Sequence, residues 1–301
     1  MLNTPILFII FNRPKQTKIL FEAIRQIQPK YLFVAADGAR ENNTNDEINS
    51  TECREIVKTI DWDCEVQYLF REKNLGCKLA VSGAINWFFE NVEQGIILED
   101  DCLPNTSFFS FCEELLLKYK NNQQVMHIGG TNFQARKMQA ADSYYFSKIV
   151  HVWGWATWKR AWQLYDIEMN NFSPTLLQQW FQQYQFPQTS FSYWLEAFTK
   201  SKNNLINTWD YQWTYNVWKN NGICITPTVN LVSNIGFDDN ATHTSTQANQ
   251  YASLPVFEIR VLHHPNSIAI NFEADNFIFN SWYRKRNIRE RIIKRIKKII
   301  N

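Results

Sequence analysis

No stretch of the chain approaches the roughly 18 consecutive apolar residues that a membrane span needs. No Cys-x-x-Cys pair occurs either. Cys53, Cys64, Cys77, Cys102, Cys112 and Cys224 stand singly, which argues against a zinc site or disulfide framework and for the reduced thiols of a cytoplasmic protein. The nine glycines and nine prolines form no low-complexity run and no repeat period. The opening MLNTPILFIIFNRP has an apolar run but no basic flank and no small-residue cleavage site, so it reads as a buried first strand rather than a signal peptide. What remains is a globular composition, 45% apolar and 20% charged over 301 residues. That is enough for one large domain or two halves sharing a core.

Charge is unevenly placed. Arg284 to Asn301 carries nine Lys/Arg and one Glu, net +8, so the rest of a +2 chain is −6 by subtraction. An acidic body argues against nucleic acid as a partner. In the tail, Ile288, Ile292, Ile296 and Ile299/Ile300 recur three or four apart. A basic amphipathic helix over 281–301 follows from that spacing, suited to peripheral contact with the anionic inner face of a membrane or to docking on its own domain.

The first third alternates in period. Apolar runs at 5–11, 31–36, 65–70, 95–98 and 125–129 read as strands, with helical spacing at 15–26, 53–60, 75–90 and 107–119 between them. Such alternation implies an α/β fold with a mostly parallel sheet, whose ligands gather at the carboxyl ends of the strands. Asn12, Arg13, Asp37 and the triplet Glu99-Asp100-Asp101 all follow strands, and so should share one edge.

Beyond residue 150 the texture changes. Ten of the twelve tryptophans lie there, mostly in segments read as helices at 156–165, 174–185, 190–200 and 210–220. Most belong in a core, although flat rings also stack on sugars. The natural division is 1–125 for the alternating half, 126–280 for the aromatic half, and 281–301 for the tail.

Three adjacent carboxylates at a strand end either cap the following helix as a solvated turn or hold a cation. Mg²⁺ or Mn²⁺ takes one or two protein carboxylates and completes its shell with phosphate oxygens and water. Asp210, opening WDYQW, is either a helix N-cap or a general base.

Seven elements stand in order: FNRP, ADG, NLGC, EDDC, GWATW, WDYQW and SNIGF. The order of apolar strand, EDD, small residue, hydrophobe, proline and aromatic-rich helix resembles the metal-site element of GT-A glycosyltransferases. It is similar above all to the N-acetylglucosaminyltransferases of N-glycans and O-mannosyl glycans, and to bacterial proteins of the same kind. The likeness spans about residues 5 to 245.

That resemblance implies a GT-A, Rossmann-like fold with helices on both faces of the sheet. Asp101 would bind the metal on the donor's diphosphate, supported by Glu99, and Asp100 would contact the ribose or transferred sugar. Arg13 would reach the nucleotide, and Asp37 would accept from a uracil N3–H. Asn74, Gly76 and Lys78 would cover base and phosphates, although the family's histidine is absent there. Gly154 and Trp155 would lie beside the donor sugar. Asp210 would be the catalytic base, where the family has two adjacent acids and this chain has Asp210-Tyr211. His243, in a polar loop with Asp238 and Asp239, would be an extra metal ligand or a solvated residue.

The implied activity is inverting, metal-dependent transfer from a nucleotide sugar, UDP-linked, to a glycan or lipid-linked glycan. One alternative, a sugar nucleotidyltransferase, needs a glycine-rich loop after the first strand, and FNRPKQTK has no glycine. The other is a non-catalytic carbohydrate-binding protein using the aromatic half.

Overall fold

A computed structural model describes residues 2–134, 141–236 and 254–284. The first half alternates as its periodicity demands: β1 (Ile6–Ile10), α1 (Pro14–Ile27), β2 (Tyr31–Ala36), α2 (Thr44–Ile56), β3 (Glu65–Phe70), α3 (Gly76–Asn91), β4 (Gln94–Glu99), β5 (Cys102–Pro104), α4 (Thr106–Lys118) and β6 (Val125–Gly129). Pro14 opens α1, where its missing N–H costs nothing. Asn43 and Asn105 cap α2 and α4 by accepting backbone N–H bonds. The Asn43 cap is why α2 begins at Thr44, well before the expected start at Cys53.

The second half comprises β7 (Tyr144–Ser147), β8 (Trp155–Trp158), α5 (Lys159–Trp162), α6 (Pro174–Gln183), α7 (Phe191–Lys202), α8 (Asp210–Lys219), β9 (Ile223–Pro227), β10 (Val232–Asn234), α9 (Phe272–Ile278) and a π-helix (Phe279–Tyr283). The helix expected over 156–165 is instead strand β8 followed by one helical turn. All four β8 residues are buried, and a run buried on both faces belongs inside a sheet.

The main sheet has eight strands in the order β3-β2-β1-β4-β8-β6-β9-β7. Four of its pairings are parallel and three antiparallel, so it is a mostly parallel, Rossmann-like α/β sheet. It runs unbroken through residue 125. A ribbon of β5 and β10 lies apart from it.

Alternation along each strand sends side chains to opposite faces. Ile6, Phe8 and Ile10 join a core with Leu20 and Ile24 of α1 and Phe108 and Leu115 of α4. Leu7, Phe33 and Ile97 join a second core with Phe88 of α3 and the tryptophans of α6, α7 and α8. The aromatic helices therefore cover the same face as α3. Among the described residues no helix is long and apolar enough to cross a membrane. The basic tail beyond Arg284 and the loop carrying Asp238, Asp239 and His243 lie outside the described residues.

Candidate functional site

Strand order reverses between β1 and β4. From β1 the chain steps outward to β2 and β3, then returns to β4 on the other side of β1. The carboxyl ends of β1 and β4 lie side by side at that switch point, the usual ligand position in such sheets.

The turn after β1 is clamped at three consecutive residues. Phe11 N–H donates to Asp100 Oδ2 at 3.2 Å and Asn12 Nδ2 donates to Asp46 Oδ1 at 2.7 Å. Arg13 Nη1 donates to Asp101 Oδ2 at 2.8 Å and lies 3.7 Å from Asp100 Oδ1. Arg40 grips the buried Asp46 through Nε and Nη2, with its guanidinium over the Phe11 ring. Asp46 is held below the usual carboxylate range, chiefly by that Arg40 bond.

The β5–β10 ribbon closes the other side. Ile235 N–H donates to the Asp101 carbonyl at 2.8 Å. A Cβ on Gly236 would sit 2.5 Å from Asp101 Oδ2 and 2.7 Å from Arg13 Nη1. Only a residue without a side chain fits against that ion pair.

Burial of the acids, together with their mutual repulsion, pushes Glu99 up to about 8 and Asp100 up to about 7, with Arg13 opposing both shifts. The charge of Asp210, the first residue of α8, also raises Glu99, so the far half adds a fourth acid to the electrostatics of this strand end. Thr208 Oγ1 donates to Asp210 Oδ1. Burial raises the Cys77 thiol, and the charges of Glu99, Asp210, Asp101 and Asp37 raise it further.

The start of α3 joins the two halves. Asp37 accepts from the N–H groups of Leu75 and Gly76 at 3.0–3.1 Å. Its carboxylate thus caps a helix, rather than standing open for the base contact that the resemblance implied. Asn74 Nδ2 donates to the Gly38 carbonyl at 2.8 Å. Lys78 is buried: its N–H donates to Asn207 Oδ1 at 2.8 Å and its Nζ to Asn204 Oδ1 at 2.6 Å. Gly76 has φ +74°, and a Cβ there would meet Asn207 Nδ2 at 2.4 Å. Asn204 and Asn207 therefore tie the loop ahead of Asp210 to α3.

Trp155 departs most from expectation. It is fully buried, stacked on His127 at 5.1 Å and on Trp209 at 5.5 Å. Its ring is core and presents no face to a sugar. Gly154 stays at the edge, its carbonyl accepting from Gly130 N–H at 2.8 Å. Asn204, Asn207, Asp46 and Arg40 went unnoticed in the sequence. The Asn-rich NNLINTWD marks a turn, but nothing in it names a partner on α3.

Among the described residues no three His, Cys, Asp or Glu side chains converge as a self-sufficient metal cage. The donor set does fit the sparser kind of site. It offers hard carboxylate oxygens in excess over the Arg13 guanidinium, with Glu99 and Asp100 raised in proton affinity, and a nucleotide would supply the remaining ligands. Asp101 with Glu99 would hold such an ion.

No family model and no curated protein matches the chain. Solved structures share parts of its fold only distantly. A UDP-glucose pyrophosphorylase complexed with UDP-glucose is 13% identical with TM-score 0.27, over 48% of this chain and 62% of that one. HddC from Yersinia pseudotuberculosis is 10% identical with TM-score 0.32, over 52% and 77%. S. aureus TarS 1-349 is 9% identical with TM-score 0.35, over 52% and 47%. Likeness at this level carries no conclusion about activity, which rests on the site itself.

Proposed function

We propose that the protein is an inverting glycosyltransferase that uses a UDP-sugar and a divalent cation to glycosylate a glycan or lipid-linked glycan. One observation carries this. Arg13 pairs with Asp101 and lies 3.7 Å from Asp100 at the β1/β4 switch point, and the charge of Asp210 from the aromatic half acts on Glu99 beside them.

Each residue has a separable task. Arg13, held by a clamped turn, faces the donor diphosphate and neutralises charge as the sugar–phosphate bond breaks. Asp100 fixes that turn through Phe11 N–H and borders the ribose or sugar. Asp37, Asn74 and Lys78 hold the α3 start that walls the nucleotide side. Asp210 takes the proton from the acceptor hydroxyl while its oxygen attacks the anomeric carbon from the side opposite the diphosphate. The C–O bond to the diphosphate breaks as the new one forms, so configuration inverts. Asp101, with Glu99 behind it, would hold a divalent cation, which when bound would supply charge neutralisation to a diphosphate. The tail would keep the enzyme at a membrane surface, and His243 would add a ligand.

Positioned proton transfer contributes about 10²–10⁴-fold. Asp210→Asn should lose about that much transfer activity while keeping cation-dependent UDP binding. An unchanged rate removes Asp210 as the base.

A further inference from the structure

Ten tryptophans lie beyond residue 150, and eight of them are buried at 4% exposure or less. Trp153 and Trp282 alone keep part of their surface open. Although 129 positions apart, these two meet, with ring centroids 6.3 Å apart. The equally half-buried Phe133 lies 4.1 Å from Trp282 and 5.1 Å from Trp153. Trp153 packs at the margin of one core and Phe133 and Trp282 at the margin of the other, so the three rings form a partly exposed cluster where the two cores come to the surface.

Their position is specific. Trp153 precedes Gly154 at the start of β8, and the first β8 residue pairs with Ile97 near the carboxyl end of β4. Phe133 follows the carboxyl end of β6. Trp282 is delivered by the π-helix, a rare element frequently found at functional sites. The next residue, Tyr283, places its ring 5.0 Å from Tyr193, whose hydroxyl bonds that of Tyr211 at 2.8 Å. Tyr211 directly follows Asp210 at the start of α8. One short segment thus supplies a ring to an open aromatic cluster and a second ring to the surroundings of the proposed base.

We infer that Phe133, Trp153 and Trp282 form a subsite for one pyranose ring of the acceptor. This rests on the transferase proposal and adds to it the chemistry of the acceptor side. A pyranose has an apolar C–H face that lies on aromatic rings and a rim of hydroxyls, one of which must reach Asp210. A lipid chain would satisfy the rings but bring no hydroxyl.

The test uses the full chain, with methyl β-D-glucopyranoside and methyl β-D-galactopyranoside as probes and glycerol as the ringless control. Binding is followed by saturation-transfer NMR, with a UDP/Mn²⁺ thermal shift measured in parallel. Trp282→Ala and Trp153→Ala should each weaken pyranoside binding about fivefold or more. Trp282→Tyr should retain most of it, and the UDP/Mn²⁺ shift should stay as in wild type. Should an alanine variant fail to fold, Trp282→Tyr against Trp282→Leu makes the same comparison with less loss of volume. Pyranosides that bind no better than glycerol, or equally well to the variants, overturn the subsite. Pyranoside binding without any UDP/Mn²⁺ shift in wild type keeps the subsite and removes the transferase proposal.

Discussion

Arg13 Nη1 donates to Asp101 Oδ2 at 2.8 Å across 88 positions of sequence, with both side chains mostly buried. Three acids follow one another at the end of β4, and this guanidinium opposes their repulsion. Removing one partner of a buried pair costs about 3–5 kcal/mol when the other charge is stranded. Arg13→Met should therefore lose stability of that order. Adding Asp101→Asn should return part of it, with a coupling of about 0.5–3 kcal/mol in urea unfolding. Strict additivity of the two changes contradicts the pairing.

Gly236 supports a sharper prediction. Alanine there would place a methyl group 2.5 Å from Asp101 Oδ2, so the pair must shift. A displacement of about 1 Å at a reacting site can cost about 100-fold in rate. Gly236→Ala should show a loss of that size in transfer, alongside only a modest fall in melting temperature. A variant with wild-type transfer rates would mean that the pair's placement does not matter.

Trp155 should behave as core. Large-to-small changes at such positions cost about 3–5 kcal/mol, so Trp155→Ala should unfold at markedly lower denaturant. If it instead remains stable and loses only acceptor affinity, its ring is a binding surface after all.

Two buried histidines, His127 and His151, weaken the fold in acid, with burial pushing His151 down to about 3. His127 is fully buried, its Nε2 within 3.0 Å of the His151 carbonyl and its Nδ1 accepting from Trp213 Nε1 at 3.2 Å. Burial pushes it down to about 4, so the folded ring stays neutral while the unfolded one gains a proton below about 6.5. The unfolded state binds more protons between those values. This contribution is complete above pH 6.5 and is lost as pH falls toward 4, by up to about 1.4 kcal/mol per pH unit. The raised Glu99, Asp100 and Asp275 act in the opposite sense. The difference between wild type and His127→Asn isolates the histidine. That difference should shrink as pH drops from 6.5 to 4, and a flat difference contradicts the assignment.

The strands and helices of the first half were legible because each face is buried at a fixed period. β2, β3 and β6 keep the boundaries set by their apolar runs. The meeting of Arg13 with the acids was legible too, since strand ends share an edge in a parallel sheet. β8 was not. Trp155–Trp158 is rich in aromatics and has no polar alternation, so helix and buried strand look alike until β4 and β6 are seen to flank it. The engagement of Asp37 with α3 and the asparagine ties of Lys78 were also invisible, because they depend on how a helix end meets a strand-end turn 38 residues before it and a loop more than 120 residues after it. The same holds for Trp153 and Trp282, which only the fold separates from eight buried tryptophans.

The most direct test is calorimetric titration of UDP with and without Mn²⁺ into wild type and Asp101→Ala. The proposed site predicts UDP binding that Mn²⁺ strengthens at least about tenfold in wild type, and that Asp101→Ala makes insensitive to Mn²⁺. UDP affinity that ignores the cation in wild type, or a cation effect that survives in Asp101→Ala, contradicts it.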